Sequence, residues 1–257
     1  MAPRVAFITG AAGGIGESIA LRLALESEDI SFLLLDLQGK EGELQNVVKK
    51  VEEKGRKAIF VTADVSVEEQ VKNAVDKCVD TFGGLDIMVA NAGIALFKPF
   101  VETTTEDFHR VININLLGVT LCFQYAARQM IKQGRGGRII GASSGAGKQG
   151  IANMAIYSAS KFAVRGLTQA TALELRPHKI TVNSYAPGFI LTQMNAHPDD
   201  DKYGGLGSVA KMVAKMPPDL EGAEPDVIAE FVAYLISPKA HFTTGQTFSV
   251  NGGLTCD

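Results

Sequence analysis

The stretch TGAAGGIG at residues 9–16 decides the fold. It follows a short apolar run, RVAFIT at 4–9, and leads into Ile15, Ile19 and Leu23, which recur at helical spacing. Strand, glycine turn and helix in this order open a dinucleotide-binding unit. Glycines let the backbone approach a pyrophosphate, and the helix starting there points its N-terminal amides at that charge. Gly10, Gly14 and Gly16 are spaced GxxxGxG rather than GxGxxG, so context has to support the motif. A second run, ISFLLLD at 30–36, is apolar at nearly every position, as a parallel strand covered on both faces should be. It ends on Asp36, about twenty residues past the turn, where a carboxylate can accept from both ribose hydroxyls and repel a 2′-phosphate. This favours NAD over NADP, with Lys40 the nearest cation. Gly10, Gly14, Ile15, Gly16 and Asp36 are the candidate cofactor contacts of this unit.

The alternation continues outward. Leu44, Val47, Val48 and Val51 mark a helix, 58–61 a strand, and Ser66 with Glu69 a capping box ahead of a helix carrying Val71, Val75, Val79 and Phe82. Residues 85–90 return as a strand. Thr104 and Asp107 start a helix that runs on toward Met130, and a strand at 138–142, a helix at 155–175 and a strand at 180–185 follow. Pro225 suits the first turn of a helix to Ile236, and 246–250 forms the last strand. Parallel neighbours need crossovers of a dozen or more residues, so this rhythm predicts an α/β fold. The expectation is one Rossmann-like, doubly wound domain over 1–257 with helices on both sheet faces. The rhythm breaks only at 190–220, through His197-Pro198, an acidic run at 199–201, Gly204-Gly205 and Pro217-Pro218. That segment reads as a substrate lid, and its acidic run as a solvated one.

Composition agrees with a soluble globular chain: 257 residues, 46% hydrophobic, 21% charged, net charge -3. Disorder, collagen and coiled coil are excluded. The 25 basic and 28 acidic residues are interspersed, so no nucleic acid or anionic membrane is expected as a partner. Cys78, Cys122 and Cys256 form no even disulfide framework, and no signal peptide or spanning stretch is visible, which points to the cytoplasm. Four dispersed histidines, His109, His178, His197 and His241, give no metal motif.

A second constellation carries chemistry. In YSASK at 157–161, Tyr157 and Lys161 are four apart and share a helix face, and Ser143-Ser144 precede them. A free phenol is a poor base at neutral pH, but a nearby ammonium and an oxidised nicotinamide both favour the phenolate. Tyr157 could then exchange a proton with an alcohol or carbonyl, and a Ser144 hydroxyl could orient the same oxygen.

With these motifs the chain resembles the short-chain dehydrogenase/reductase family along essentially its whole length. The matching segments are TGAAGGIG, Asp64-Val65, NAG at 91–93, INLLG around Asn115, SSGAG from Ser143, YSASK, and NSYAPG at 183–188 followed by Thr192. Ala90 stands where many relatives have a second asparagine. The resemblance implies a seven-stranded parallel sheet, commonly in a homotetramer, with the helices at 108–130 and 155–175 as candidate faces. It implies a tetrad of Asn115, Ser144, Tyr157 and Lys161, in which Tyr157 is acid/base, Lys161 also holds the nicotinamide ribose, and Asn115 holds a proton-relaying water. Asp64 and Val65 would touch the adenine, Asn91 with Gly93 the ribose region, and Pro187, Gly188, Ile190 and Thr192 the nicotinamide.

YSASKFAVRGLTQ and ITVNSYAPG are similar, within that family, to the diacetyl and acetoin reductases, also called butanediol dehydrogenases. Those enzymes usually continue with threonine, proline, methionine and tryptophan, whereas here Thr192 is followed by Gln193, Met194 and Asn195. The implied reaction is reversible hydride transfer between NAD(H) and a small ketone or secondary alcohol, with diacetyl, acetoin and 2,3-butanediol foremost. A polyol or sugar, a 3-oxoacyl thioester, and a non-catalytic NAD-binding regulator are the alternatives. Ser144, Gly145, Gln149, Met154, Tyr157, Phe189 and Met194 are the candidate substrate contacts.

Overall fold

A computed structural model describes residues 3–26, 29–217 and 219–256. Pro218, part of the expected lid, lies outside them. Seven strands form one parallel sheet: β1 (Arg4–Thr9), β2 (Ile30–Asp36), β3 (Ala58–Thr62), β4 (Ile87–Ala90), β5 (Gly137–Ala142), β6 (Ile180–Pro187) and β7 (Thr247–Val250), in the order β3-β2-β1-β4-β5-β6-β7. Helices α1 (Gly14–Leu23), α2 (Glu41–Glu52), α3 (Glu68–Phe82), α4 (Thr105–Ile112), α5 (Gly118–Gln133), α6 (Ala155–Leu175), α7 (Ser208–Val213) and α8 (Asp226–Ile236) provide the crossovers and the lid.

Strand residues alternate between two cores, because successive side chains point to opposite faces. Ala6, Ile8, Phe32 and Leu34 join α1, α2 and α8 on one face, while Val5, Phe7, Leu33 and Leu35 join α3 and α5 on the other. Each fully buried side chain of this size contributes about 1.5–3 kcal/mol. At the amino edge, Asp86 accepts from Val5 N at 2.9 Å and takes both Arg135 donors, at 2.7 and 3.0 Å, joining β1 to the α5–β5 turn. No helix among the described residues is long and apolar enough to cross a membrane.

Four local expectations change. The helix toward Met130 is interrupted by a π turn at Asn113–Leu117, so α4 and α5 are separate segments. Ser66 does not cap α3; its N–H and hydroxyl both donate to Asp64 Oδ1, at 2.8 and 2.7 Å, and α3 begins at Glu68 without a side-chain cap. Pro225 precedes α8 instead of sitting in its first turn. The acidic run is not uniformly solvated: Asp200 is buried and accepts the N–H groups of His197, Gly207 and Val209 at 2.8, 2.8 and 3.0 Å. Thr104 and Asp107 do form the capping box that starts α4.

The 190–220 segment holds more regular structure than its composition suggests, with α7 and two short 3-10 turns. Its base is fastened. Ile190 bridges Ala223, Leu191 N donates to Ala223 O at 2.9 Å, and Ala223 N donates to Phe189 O at 3.0 Å.

Candidate active site

From neighbours β1 and β4 the chain turns away to opposite sides of the sheet, which opens a crevice at their carboxyl ends. A cavity of about 570 Å³ occupies it. Gly10 and Gly14 adopt φ of +65° and +54° in the turn after β1, a region that strains any side chain. A Cβ on Gly16 would lie 2.0 Å from the Gly10 carbonyl oxygen, so only glycine lets the turn close onto α1. Gly13 precedes α1 without a side-chain cap, and Gly13, Gly14 and Ile15 line the cavity with first-turn amides. That donor set suits a pyrophosphate.

Asp36 holds this turn to the end of β2, accepting from Ala12 N at 2.9 Å and Leu37 N at 2.8 Å. Lys40 is paired with Glu43 at 2.8 Å, and both line the same end of the cavity with Asp36, Asp64 and Val65. Asn91 lines the same cavity, and its side chain also reaches back to the turn after β1. Its Nδ2 donates to the carbonyls of Thr9 and Gly10 at 3.0 and 3.1 Å, and its Oδ1 accepts from the Tyr185 hydroxyl at 2.8 Å. The side chain thus braces the glycine turn from beneath.

The tetrad candidates converge from three elements. Ser144 follows β5; its Oγ accepts from Ala146 N at 3.1 Å, and its hydroxyl lies close enough to the Tyr157 phenol to favour the phenolate. Tyr157 and Lys161 lie one turn apart on α6, with the Lys161 ammonium 5.6 Å from the Tyr157 ring centre. Lys161 Nζ donates to Ala142 O at 2.9 Å, and burial lowers this ammonium to about 8. Burial raises the Tyr157 phenol, and the Ser144 hydrogen bond only partly offsets it. Loss of water is thus the largest influence on this phenol in the protein alone.

Asn115 lies in the π turn, fully buried. Its Oδ1 accepts from Ile94 N at 2.8 Å, and its Nδ2 donates to Ile94 O at 2.9 Å and Ser160 Oγ at 3.2 Å. The side chain clamps the loop after β4 to α6. A Cβ on Gly93 would lie 3.2 Å from Asn115 Oδ1 and 3.3 Å from Lys161 Nζ, so this loop passes directly over both groups.

Pro187, Gly188, Ile190 and Thr192 line the cavity after β6, with Thr192 against Gly14 across its mouth. Gly145, Met154, Phe189 and Met194 also line it. Gln149 does not; it is exposed in the turn beyond Gly147 and outside the wall. Phe97, Ile151 and Met216, which the sequence reading missed, pack near Tyr157 and complete the wall. They come from three separate segments whose meeting leaves no local pattern.

A family model described as short chain dehydrogenase matches residues 4–202. The chain belongs to the short-chain dehydrogenase family. By family it is an oxidoreductase with its cleft at the carboxyl edge of the sheet. A short-chain dehydrogenase/reductase of Armillaria gallica is 46% identical, covering 99% of this chain and 97% of the relative. L-2,3-butanediol dehydrogenase of Corynebacterium glutamicum is 38% identical, covering 98% of each. A 3-oxoacyl-[acyl-carrier-protein] reductase of Staphylococcus epidermidis is also 38% identical, covering 97% and 98%. Among solved structures, a short chain dehydrogenase from Mycobacterium paratuberculosis bound to NAD superposes with a TM-score of 0.86 at 34% identity, covering 98% of this chain and 97% of that one. Acetoin dehydrogenase from Enterobacter cloacae superposes at 0.83 with 35% identity, covering 98% and 95%.

Proposed function

We propose that this dehydrogenase transfers hydride between NAD(H) and a small ketone or secondary alcohol. The observation that carries the reading is Tyr157, with Ser144 beside it and Lys161 one turn away, in the wall of the same cavity as the glycine turn and Asp36. Bound along the Gly10–Thr192 side, NAD(H) supplies or accepts the hydride. Gly13 to Ile15 would hold its pyrophosphate and Asp36 its adenosine ribose, with Asp64 and Val65 beside the adenine. Pro187, Gly188, Ile190 and Thr192 would flank the nicotinamide.

The rest is proton chemistry by the chain. In reduction, Tyr157 donates its proton to the carbonyl oxygen while Ser144 holds that oxygen in place. Its high phenol pKa keeps the proton available until the oxygen becomes basic. Lys161 stabilises the phenolate left behind, and Asn115 fixes the loop that closes over the ammonium. For the substrate, diacetyl, acetoin and 2,3-butanediol form the first reading, supported by the butanediol and acetoin relatives. A 3-oxoacyl thioester is the second, supported by the reductase at equal identity.

The working unit in this reading is the whole of 1–257, a homotetramer in the cytoplasm. Exposed Phe108, Phe162 and Leu173 on α4 and α6 support assembly, and free Cys78, Cys122 and Cys256 support a reducing compartment. Following NADH oxidation over a panel of ketones tests the reaction. The reading expects a preference for NADH over NADPH of at least about 100-fold and a Tyr157→Phe protein that binds NADH yet loses about 10²- to 10⁴-fold in kcat/KM. Wild-type turnover by that variant would remove Tyr157 from the reaction.

A further inference from the structure

We infer that the substrate of this site carries an uncharged hydrocarbon body larger than that of a four-carbon ketone, which keeps the hydride transfer proposed above but departs from both substrate readings drawn from the relatives. The inference rests on the reading of Tyr157 as proton donor given above. The apolar residues sort into three clusters, and only two flank the sheet. The third surrounds Tyr157: Ala146, Met154 and Ala214 are buried, while Ala95, Phe97, Ile151 and Met216 are partly open against them. Phe97, Ile151, Met154 and Met216 line the cavity, so their uncovered apolar surface faces the space where substrate sits. A built pocket of this kind gains stability when an apolar ligand displaces its water.

Charge is sorted to the opposite end. Asp36, Lys40, Glu43 and Asp64 line the cavity after β2 and β3, and Lys161 stands at the junction. Of the cations near the apolar end, Lys98 is paired with Asp107 at 2.6 Å and Lys211 donates to the Leu220 carbonyl at 2.6 Å, while Lys215 is exposed and does not line the cavity. Polar groups there are few. Ser144 Oγ accepts from Ala146 N at 3.1 Å, Asn195 Nδ2 donates to Ile190 O at 2.8 Å, and Gln193 lines the cavity. A phosphate or carboxylate would leave its charge unpaired against these walls, and the hydroxyls of a polyol would lose water for too few partners. A four-carbon diketone has only two methyl groups to set against a wall built from three segments of chain. A longer or cyclic hydrocarbon ketone covers it. The balanced step is unchanged: hydride from NADH reaches the carbonyl carbon, the carbonyl π pair takes the Tyr157 proton, and the products are a secondary alcohol, NAD⁺ and a phenolate that regains its proton from solvent.

The test is a homologous series of 2-alkanones from four to ten carbons with NADH, alongside diacetyl, acetoacetyl coenzyme A and, in the reverse direction, sorbitol with NAD⁺. The expected result is a kcat/KM that climbs roughly fourfold per methylene until the cavity is filled. 2-Octanone should exceed both diacetyl and the thioester by at least tenfold, and Phe97→Ser or Met216→Ser should flatten the climb. A flat or falling series, or a thioester or polyol that outperforms 2-octanone, would overturn the inference while leaving hydride transfer standing. Quenching of bound NADH fluorescence by 2-alkanols gives a readout free of turnover. Affinity rising with chain length in a protein that reduces nothing would uphold the apolar site and sink the proposed reaction. Affinity independent of chain length would sink the apolar site.

Discussion

Lys161 is 3% exposed, with the Ala142 carbonyl as its hydrogen-bond partner, and its ammonium falls from 10.5 to about 8. A lysine lowered on folding binds fewer protons in the native state between those two values, so stability rises with pH across that window. Below about pH 8 both states are protonated and the whole penalty, about 3 kcal/mol, is in force. Lys161→Met should therefore be more stable than the parent at pH 7, by about 1–2 kcal/mol once the lost carbonyl bond is allowed for. Thermal melts at pH 7 and pH 9.5 check this: the gain should shrink at the higher pH, while ketone reduction is lost at both. In the parent, kcat/KM for reduction should fall above about pH 8 as the ammonium is lost. Residues were legible at this scale where chemistry demands a type at a spacing, as for Tyr157, Lys161 and the glycine turn. Asn91 and Asn115 were legible as important, but the backbone partners that define their tasks, Gly10 and Ile94, sit far away in sequence.

Among the elements, the lid shows how one side chain can organise a segment of unpromising composition. Asp200 gathers three amides into a small carboxylate nest, and these bonds hold its carboxyl below the usual range. The depressed pKa means the nest is intact above the ordinary aspartate range and weakens as acid protonates it. Asp200→Ala should speed proteolytic nicking between 197 and 216 and raise KM for ketone, with NADH affinity nearly unchanged. Limited proteolysis and NADH titration decide it; unaltered nicking would show that α7 holds the lid unaided. Apolar pattern and turn signals placed every strand and α1 to α3, α6 and α8, while α4 and α5 read as one continuous helix. The π turn at Asn113–Leu117 was not legible, because one extra residue per turn leaves Phe108, Val111, Ile112 and Asn115 on an apparently continuous face. Short α7 was hidden for a related reason: six residues between glycines and prolines give too little period to read.

On the scale of the whole molecule, one sheet runs from Arg4 to Val250, with β4 at its centre beside β1, and β7, the last strand, at an edge. Removing residues from 247 onward should uncover Ser184 to Pro187 of β6 and with them the loop that carries Ile190 and Thr192. Denaturant unfolding of the full chain should give one coincident transition by fluorescence and circular dichroism if 1–257 is a single cooperative unit. Light scattering should give about four times the 27.3 kDa chain mass, and Phe162→Glu should reduce it. The paired backbone at Ile190 and Ala223 has a broader bearing. Because the two feet of the excursion are tied to each other, its contents can be exchanged for those of a relative without retuning the scaffold that carries the coenzyme. The excursion is in that sense a separable part of the substrate wall, and a chimera spliced at 193 and 222, which keeps Thr192, should shift toward its donor's preference while keeping this chain's affinity for NADH.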